Sequence, residues 1–260
     1  MSSVRDRAHA RPGGRHLLRS GRFAELIVAD AGVEPGDLVV DVGAGSGMLT
    51  RALLHAGARV VAVEQDRDLA ARLQRACAAA DVVRGDARQT PWPDEPFRVV
   101  ANLPFAHTTE ICRSLLRPSV PLLGADLVVE WGFAAKRTRV WPSTMLGVLW
   151  GAWFELTLVR RVAPASFAPP PSVVAAVLRA TRREAALVAG RDAGDYARFL
   201  ARAFRSARLP PGAAARAAEL GFDRRAAPRD LDARQWAAVW EESSARTRTV
   251  HAMTRRGRTR

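Results

Sequence analysis

The sequence predicts an α/β protein: a doubly wound, Rossmann-like sheet followed by a small C-terminal helical domain. Three observations carry that prediction. Apolar strand-like runs alternate with helix-patterned segments from residue 37 to residue 130, the order of a parallel sheet covered on both faces. A glycine-rich turn, Asp41-Val42-Gly43-Ala44-Gly45-Ser46-Gly47, leaves the first of those runs, Leu38-Val39-Val40. Beyond residue 184 the chain is rich in Ala and Arg, and its apolar residues fall at helical spacing.

The elements follow in order. Residues 23–31 carry a helical apolar pattern that stops near Gly32, and Pro35-Gly36 is a turn. Residues 38–42 are a buried strand. Residues 48–56 are the helix opened by the glycine turn and closed by Gly57. Residues 59–63 are almost continuous in Val and Ala, as a strand buried on both faces requires. A helix over 68–80 leads to a short strand, 81–84, that runs into Gly85-Asp86. Residues 90–96 hold three prolines and form a loop. A fourth strand spans 97–101, a helix 108–116, and a fifth strand 127–130. A helix over 143–153 precedes two strands, 155–162 and 173–182. No helix separates these two strands, so an antiparallel edge is expected. In the helical part, Tyr196, Phe199, Leu200, Ala203 and Phe204 share one stripe, and Trp236 and Trp240 pair at i, i+4. Trp141, Trp150 and Trp153 are expected in the core.

The length suits one large domain with an appendage, and 48% hydrophobic residues suffice for a packed core. No apolar run approaches the ~18–20 residues of a membrane span, so no membrane partner is expected. The Arg-rich start lacks the apolar stretch of a secretory signal; an Arg-rich transit peptide is its nearest lookalike. Cys77 and Cys112 are the only cysteines, too few for a disulfide framework or a zinc site. A cytoplasmic location and a monomer are expected. The net charge of +14 is concentrated at the two ends: residues 1–22 hold six Arg and one Asp, and residues 246–260 hold six Arg and no acid. Arginine forks in such blocks suit phosphate, so both ends are expected to grip nucleic acid.

Candidate chemistry gathers at the strand ends. Glycines 43, 45 and 47 permit a tight turn and close backbone approach to a ligand. Such a turn would also serve a dinucleotide, but the G-x-G-x-x-G spacing is absent because the third glycine comes one residue early. Asp41, Glu64 and Asp86 stand at the C-terminal ends of successive strands, the side on which these sheets bind ligands. Glu64 can accept from two ribose hydroxyls, and Asp86 from an adenine amine. The more specific feature is Asn102-Leu103-Pro104-Phe105, which leaves the fourth strand. An exocyclic adenine amine is a poor nucleophile because its lone pair is delocalised into the ring. Acceptors for both N–H groups draw the nitrogen towards a tetrahedral shape and free that pair. The Asn102 side-chain oxygen and the Leu103 carbonyl, its direction fixed by Pro104, can be those acceptors. Phe105 offers a stacking face for a flipped base. His107, just beyond, reads as a loop histidine with a backbone hydrogen bond. Glu130-Trp131 with Lys136-Arg137 is a candidate RNA-facing segment. Together the two turns point to methylation of an adenine with S-adenosylmethionine as donor.

At these motifs the chain resembles the rRNA adenine dimethyltransferase superfamily, and more closely its erythromycin-resistance (Erm) branch. The similarity spans about residues 12–182. It rests on Asp-Val-Gly-Ala-Gly-Ser-Gly-Met-Leu-Thr at 41–50, Glu64, Gly85-Asp86, Asn-Leu-Pro-Phe at 102–105 and Phe-Ala-Pro-Pro-Pro-Ser-Val at 167–173. The resemblance implies a class I methyltransferase sheet. It implies a cofactor pocket from His16, Leu18, Gly43, Ala44, Gly45, Gly47, Glu64, Gln65, Asp86, Ala87 and Asn102, and a target-amine site at Asn102, Leu103, Pro104 and Phe105, with no metal. It implies a domain plan of a basic arm (1–22), a methyltransferase domain (23–182), a helical RNA-binding domain (183–245) and a basic tail (246–260). Two departures stand out. The family's Gln-Asn/His-Phe-Leu is Arg15-His16-Leu17-Leu18 here, and Phe105 replaces a common Tyr. The implied activity is N6-methylation of an adenine in large-subunit (23S) rRNA, giving macrolide–lincosamide–streptogramin B resistance. The alternatives are a small-subunit rRNA dimethyladenosine transferase, a non-catalytic RNA-binding assembly factor, and an NAD-dependent oxidoreductase.

Overall fold

The computed structural model describes residues 16–256. The first 15 residues of the expected basic arm and the last four of the tail therefore lie outside the described residues. In chain order the elements are β1 (Leu17–Leu18), α1 (Gly21–Asp30), β2 (Leu38–Val42), α2 (Met48–His55), β3 (Arg59–Glu64), α3 (Arg67–Ala76), β4 (Asp81–Arg84) and β5 (Phe97–Asn102). Then come α4 (Thr108–Leu115), β6 (Leu122–Glu130), α5 (Trp131–Thr138), α6 (Met145–Gly151), β7 (Phe154–Val162), β8 (Phe167–Ala168), β9 (Ala175–Arg182), α7 (Ala193–Ser206) and α8 (Ala233–Arg256).

Seven strands form one sheet in the order β4-β3-β2-β5-β6-β9-β7. The first five are parallel; β9 runs antiparallel to both β6 and β7, the edge expected from two strands without an intervening helix. Every residue of β2 is buried, so its Leu-Val-Val-Asp-Val run has helices on both faces. Side chains then sort strictly by parity. Val40, Val42, Val99 and Ala101 enter the core on the α4–α6 face, while Val39, Val60, Ala62 and Val100 enter the core under α1, α2 and α3. The chain winds outward from β2 through β3 to β4, then returns to lay β5 on the other side of β2. That reversal leaves a crevice between the C-terminal ends of β2 and β5, where such sheets bind ligands.

Local chemistry sets most boundaries. Ser20 caps α1 by accepting from the Phe23 amide at 3.3 Å, and Asp66 caps α3 by accepting from Asp68 and Leu69. Four sequence expectations are revised. The helix expected over 68–80 ends at Ala76, because Cys77 leaves helical geometry at φ −132°, ψ 56°. The fifth strand begins at Leu122 rather than 127. Its Asp126 is tolerated inside the sheet by an ion pair with Arg179 on β9 (2.7 Å). Helix α5 follows β6 directly and was not anticipated. Trp141 is 67% exposed and donates to the Asp230 carbonyl at 2.8 Å, whereas Trp150 and Trp153 are buried as expected.

The C-terminal helices do not form a separate core. Trp153 meets Tyr196 edge-on at 6.1 Å, and Tyr196 and Phe199 of α7 meet Trp240 of α8 at 5.8 and 5.3 Å. These rings join the apolar layer under α4–α6, so sheet and helices share one continuous interior. Helix α8 runs on to Arg256, through the expected start of the tail at 246.

Candidate active site

The β2 and β5 turns meet at the crevice. A Cβ placed on Gly43 would lie 3.5 Å from the Pro104 ring, so the two turns approach to within about a methyl group of contact. Gly45 and Gly47 hold left-handed conformations at φ +56° and +78°. At Gly45 an added Cβ would come within 2.6 Å of Leu17 Cδ2, and at Gly47 within 2.5 Å of Leu73 Cδ1. The backbone conformation therefore favours glycine at both positions, and a side chain there would also have to displace a leucine tip.

Glu64 ends β3 and is buried at 4% exposure. Its Oε2 accepts from the Gly45 amide at 2.9 Å and its Oε1 from the Asp66 amide at 2.8 Å. The carboxylate thus ties the glycine turn to the start of α3. Asp86 is different. Its two oxygens take Arg88 Nε at 3.0 Å each, Arg88 Nη2 at 2.5 Å and the Arg88 amide at 2.9 Å. These bonds from Arg88 hold its carboxyl down at about 2. The sequence expects Asp86 to be open to an adenine amine, whereas in the structure Arg88 fills its acceptor positions.

Asp41 does not face the crevice. It is buried beneath the turn and accepts from Thr50 Oγ1 at 2.7 Å. Burial pushes its carboxyl up to about 7; the Thr50 hydroxyl offsets this in part, and the nearby Glu64 adds to it. An acid raised from 3.8 to about 7 on folding favours the folded state while protonated, and that advantage is lost as pH rises through this window. The Asp41→Asn variant cannot ionise and can still accept from Thr50. Its melting temperature should therefore fall less than that of the wild type between pH 4 and pH 7. Parallel pH profiles for the two proteins would contradict the buried, protonated Asp41.

Asn102 ends β5. Its Nδ2 donates to the His16 carbonyl at 2.7 Å, and because a carbonyl only accepts, this bond fixes which way round the amide sits. The Oδ1 is buried and has no partner among the described residues. Leu103 is buried with its amide on the Val128 carbonyl at 3.1 Å, and Pro104 (φ −63°) starts the turn. Phe105 lines the crevice, with His16 at 5.6 Å and Phe167 at 6.3 Å between ring centres.

A two-residue clip closes this wall. β1 pairs with β8, Leu17 opposite Ala168 and Leu18 opposite Phe167, and His16 Nδ1 lies 2.9 Å from the Pro169 carbonyl. The Phe-Ala-Pro-Pro-Pro-Ser-Val stretch thus holds the N-terminal segment against Asn102. Of the expected site residues, the crevice gathers His16, Gly43, Gly45, Glu64, Gln65, Asp86, Ala87 and the four residues 102–105. Leu18, Ala44 and Gly47 are not on its surface. Leu18 and Ala44 pack into the core, and Gly47 serves the start of α2. Leu17, Arg88 and His107 line it unforeseen. The backbone amide of His107 donates to the Pro104 carbonyl at 2.9 Å, while its ring faces Glu110 at 3.5 Å.

The crystal structure of the 23S rRNA methyltransferase ErmE matches with a TM-score of 0.75 at 26% identity, over 86% of this chain and 98% of that one. A mostly parallel sheet of this topology, with these turns at its reversal point, is a Rossmann-like methyltransferase. A family model for ribosomal RNA adenine dimethylases matches residues 10–210. The chain belongs to that family. It is 35% identical to the mycinamicin-resistance protein MyrB of Micromonospora griseorubida, over 92% of this chain and 84% of MyrB. It is also 31% identical to the ribosomal RNA small subunit methyltransferase A of a Synechococcus species, over 95% of this chain and 97% of that protein.

Proposed function

We propose that the protein transfers a methyl group from S-adenosylmethionine to the N6 amine of an adenine in large-subunit rRNA, and thereby confers macrolide resistance. The observation that carries this reading is the buried Asn102 Oδ1 at the crevice, which has no partner among the described residues. An orphaned acceptor is costly to bury, and the natural donor here is the substrate amine. The Leu103 carbonyl is the second acceptor. The residues also fit the cofactor. Glu64 brings a carboxylate to the crevice wall beside Gly43 and Gly45, an acceptor type suited to ribose hydroxyls. When bound, S-adenosylmethionine supplies an electrophilic methyl. Asn102 and Leu103 orient the amine and expose its lone pair, and Phe105 stacks the base.

Likeness to MyrB and to ErmE supports the large-subunit target. The nearly full-length match to the small-subunit enzyme favours that alternative. Expression in a macrolide-susceptible host, with primer extension on both rRNAs, separates the two. The expected result is a raised macrolide tolerance and a stop on large-subunit rRNA. A stop confined to small-subunit rRNA, with unchanged tolerance, overturns the resistance reading.

Phe105→Tyr should keep most of the methylation activity and Phe105→Ala should lose it, since a stacking face is worth ~1–3 kcal/mol per base. Equal impairment of the two would make Phe105 a packing residue held by Phe167 and His16.

A further inference from the structure

A second aromatic surface lies on the same end of the sheet, outside the crevice. Trp131 opens α5 and is 37% exposed; beside it Val173 and Val174 are exposed at 37% and 38%. The Trp131 amide donates to the Val174 carbonyl at 2.9 Å, so the three residues form one contiguous apolar lip. The Arg161 guanidinium sits over the Trp131 ring, 4.9 Å from its centre. The neighbouring Arg160 is neutralised by Asp30, but Arg161 has no carboxylate partner among the described residues.

Strand register places this lip relative to the site. Asn102 pairs with Val128 across β5 and β6. Trp131 comes three residues after Val128. At ~3.3 Å per residue it stands roughly 10 Å further out than Asn102, one strand across. That is within reach of a nucleotide neighbouring a base held at Asn102.

We propose that Trp131 and Arg161 form a stacking platform for an unpaired base of the RNA substrate, next to the adenine held at Asn102. This rests on the RNA-methylation reading above. A base brings a π-face for the indole and a phosphate for the uncompensated guanidinium, which is the complement of this pair. Glu130, adjacent and exposed, disfavours phosphate directly over the lip, so the base occupies the ring and its phosphate turns to Arg161. The valines extend the apolar floor. A platform outside the crevice would hold the RNA strand in register while the target base is flipped.

The test uses the full chain and a large-subunit rRNA hairpin, with 2-aminopurine replacing in turn each base flanking the target adenine. Wild type should quench one of these probes on binding. Trp131→Phe should quench similarly. Trp131→Ala should lose the quench and raise the KM for RNA roughly 5- to 150-fold, from ~1–3 kcal/mol of stacking. Its affinity for S-adenosylhomocysteine by calorimetry should stay unchanged, and kcat nearly so. Arg161→Ala should lower the log–log salt slope of RNA binding by about 0.7–0.9, one phosphate. An unchanged KM in Trp131→Ala overturns the platform while leaving the methylation reading intact. Equal defects in the Phe and Ala variants, or a loss confined to kcat or cofactor affinity, overturn it too. Failure of the wild type to methylate the RNA overturns both.

Discussion

Asn102→Ala is expected to lower methyl transfer by roughly 2–4 kcal/mol in the barrier, about 30- to 1,000-fold in kcat. Two features set the size. The variant removes the buried Oδ1, the acceptor we propose for the amine, and it removes the bond to the His16 carbonyl at 2.7 Å. The first loss acts in the transition state, where the amine is being reshaped, so it reduces kcat without a matching change in cofactor affinity. The second loosens the β1–β8 clip and adds a smaller effect on binding. Asn102→Asp distinguishes them: it keeps an acceptor but loses the donor to His16. Single-turnover methylation beside calorimetric titration of S-adenosylhomocysteine checks both. Near-normal transfer by the Ala variant would remove Asn102 from the chemistry.

Glu64→Ala is the second large effect, and it falls on binding. The substitution takes away the acceptor we propose for the ribose hydroxyls and also removes the Glu64 bonds to the Gly45 and Asp66 amides. Hydrogen bonds to a charged acceptor contribute about 1.5–3 kcal/mol each, and the glycine turn loses its anchor to α3 at the same time. Cofactor affinity should fall at least ~10- to 100-fold. Glu64→Gln keeps one acceptor and one backbone bond, so its loss should be intermediate. Unchanged affinity in the Ala variant would take Glu64 out of the cofactor site, and tight NAD binding in the same titration would favour an oxidoreductase instead.

The legible parts of the chain are those where burial on both faces makes composition speak. β2, β3, β4 and β5 are short apolar runs bounded by Gly, Pro or Asp, and their starts and ends lie within a residue of expectation. β6 was half visible, because Gly124 and Asp126 interrupt its pattern and the compensating Arg179 is 53 residues away. α5 was invisible because no turn separates it from β6. The β1–β8 clip is too short, at two residues a side, for any periodicity. At the crevice, the placement of Glu64 and the Asn102 turn was legible because strand ends advertise their residues. Arg88 was not: four residues past a strand, an arginine reads as solvated until its guanidinium is seen on Asp86. Trp141 misled for the opposite reason, since a tryptophan reads as core until its indole is found on a surface carbonyl.

The most direct measurement is methyl transfer from isotopically labelled S-adenosylmethionine to protein-free large-subunit and small-subunit rRNA, followed by nucleoside mass spectrometry. The predicted result is label in N6-methylated adenosine from large-subunit rRNA, present with the wild type and nearly absent with Asn102→Ala. Label in another nucleoside, in small-subunit rRNA alone, or equally with Asn102→Ala would contradict the assignment of Asn102 and its turn as the adenine-amine site of a large-subunit methyltransferase.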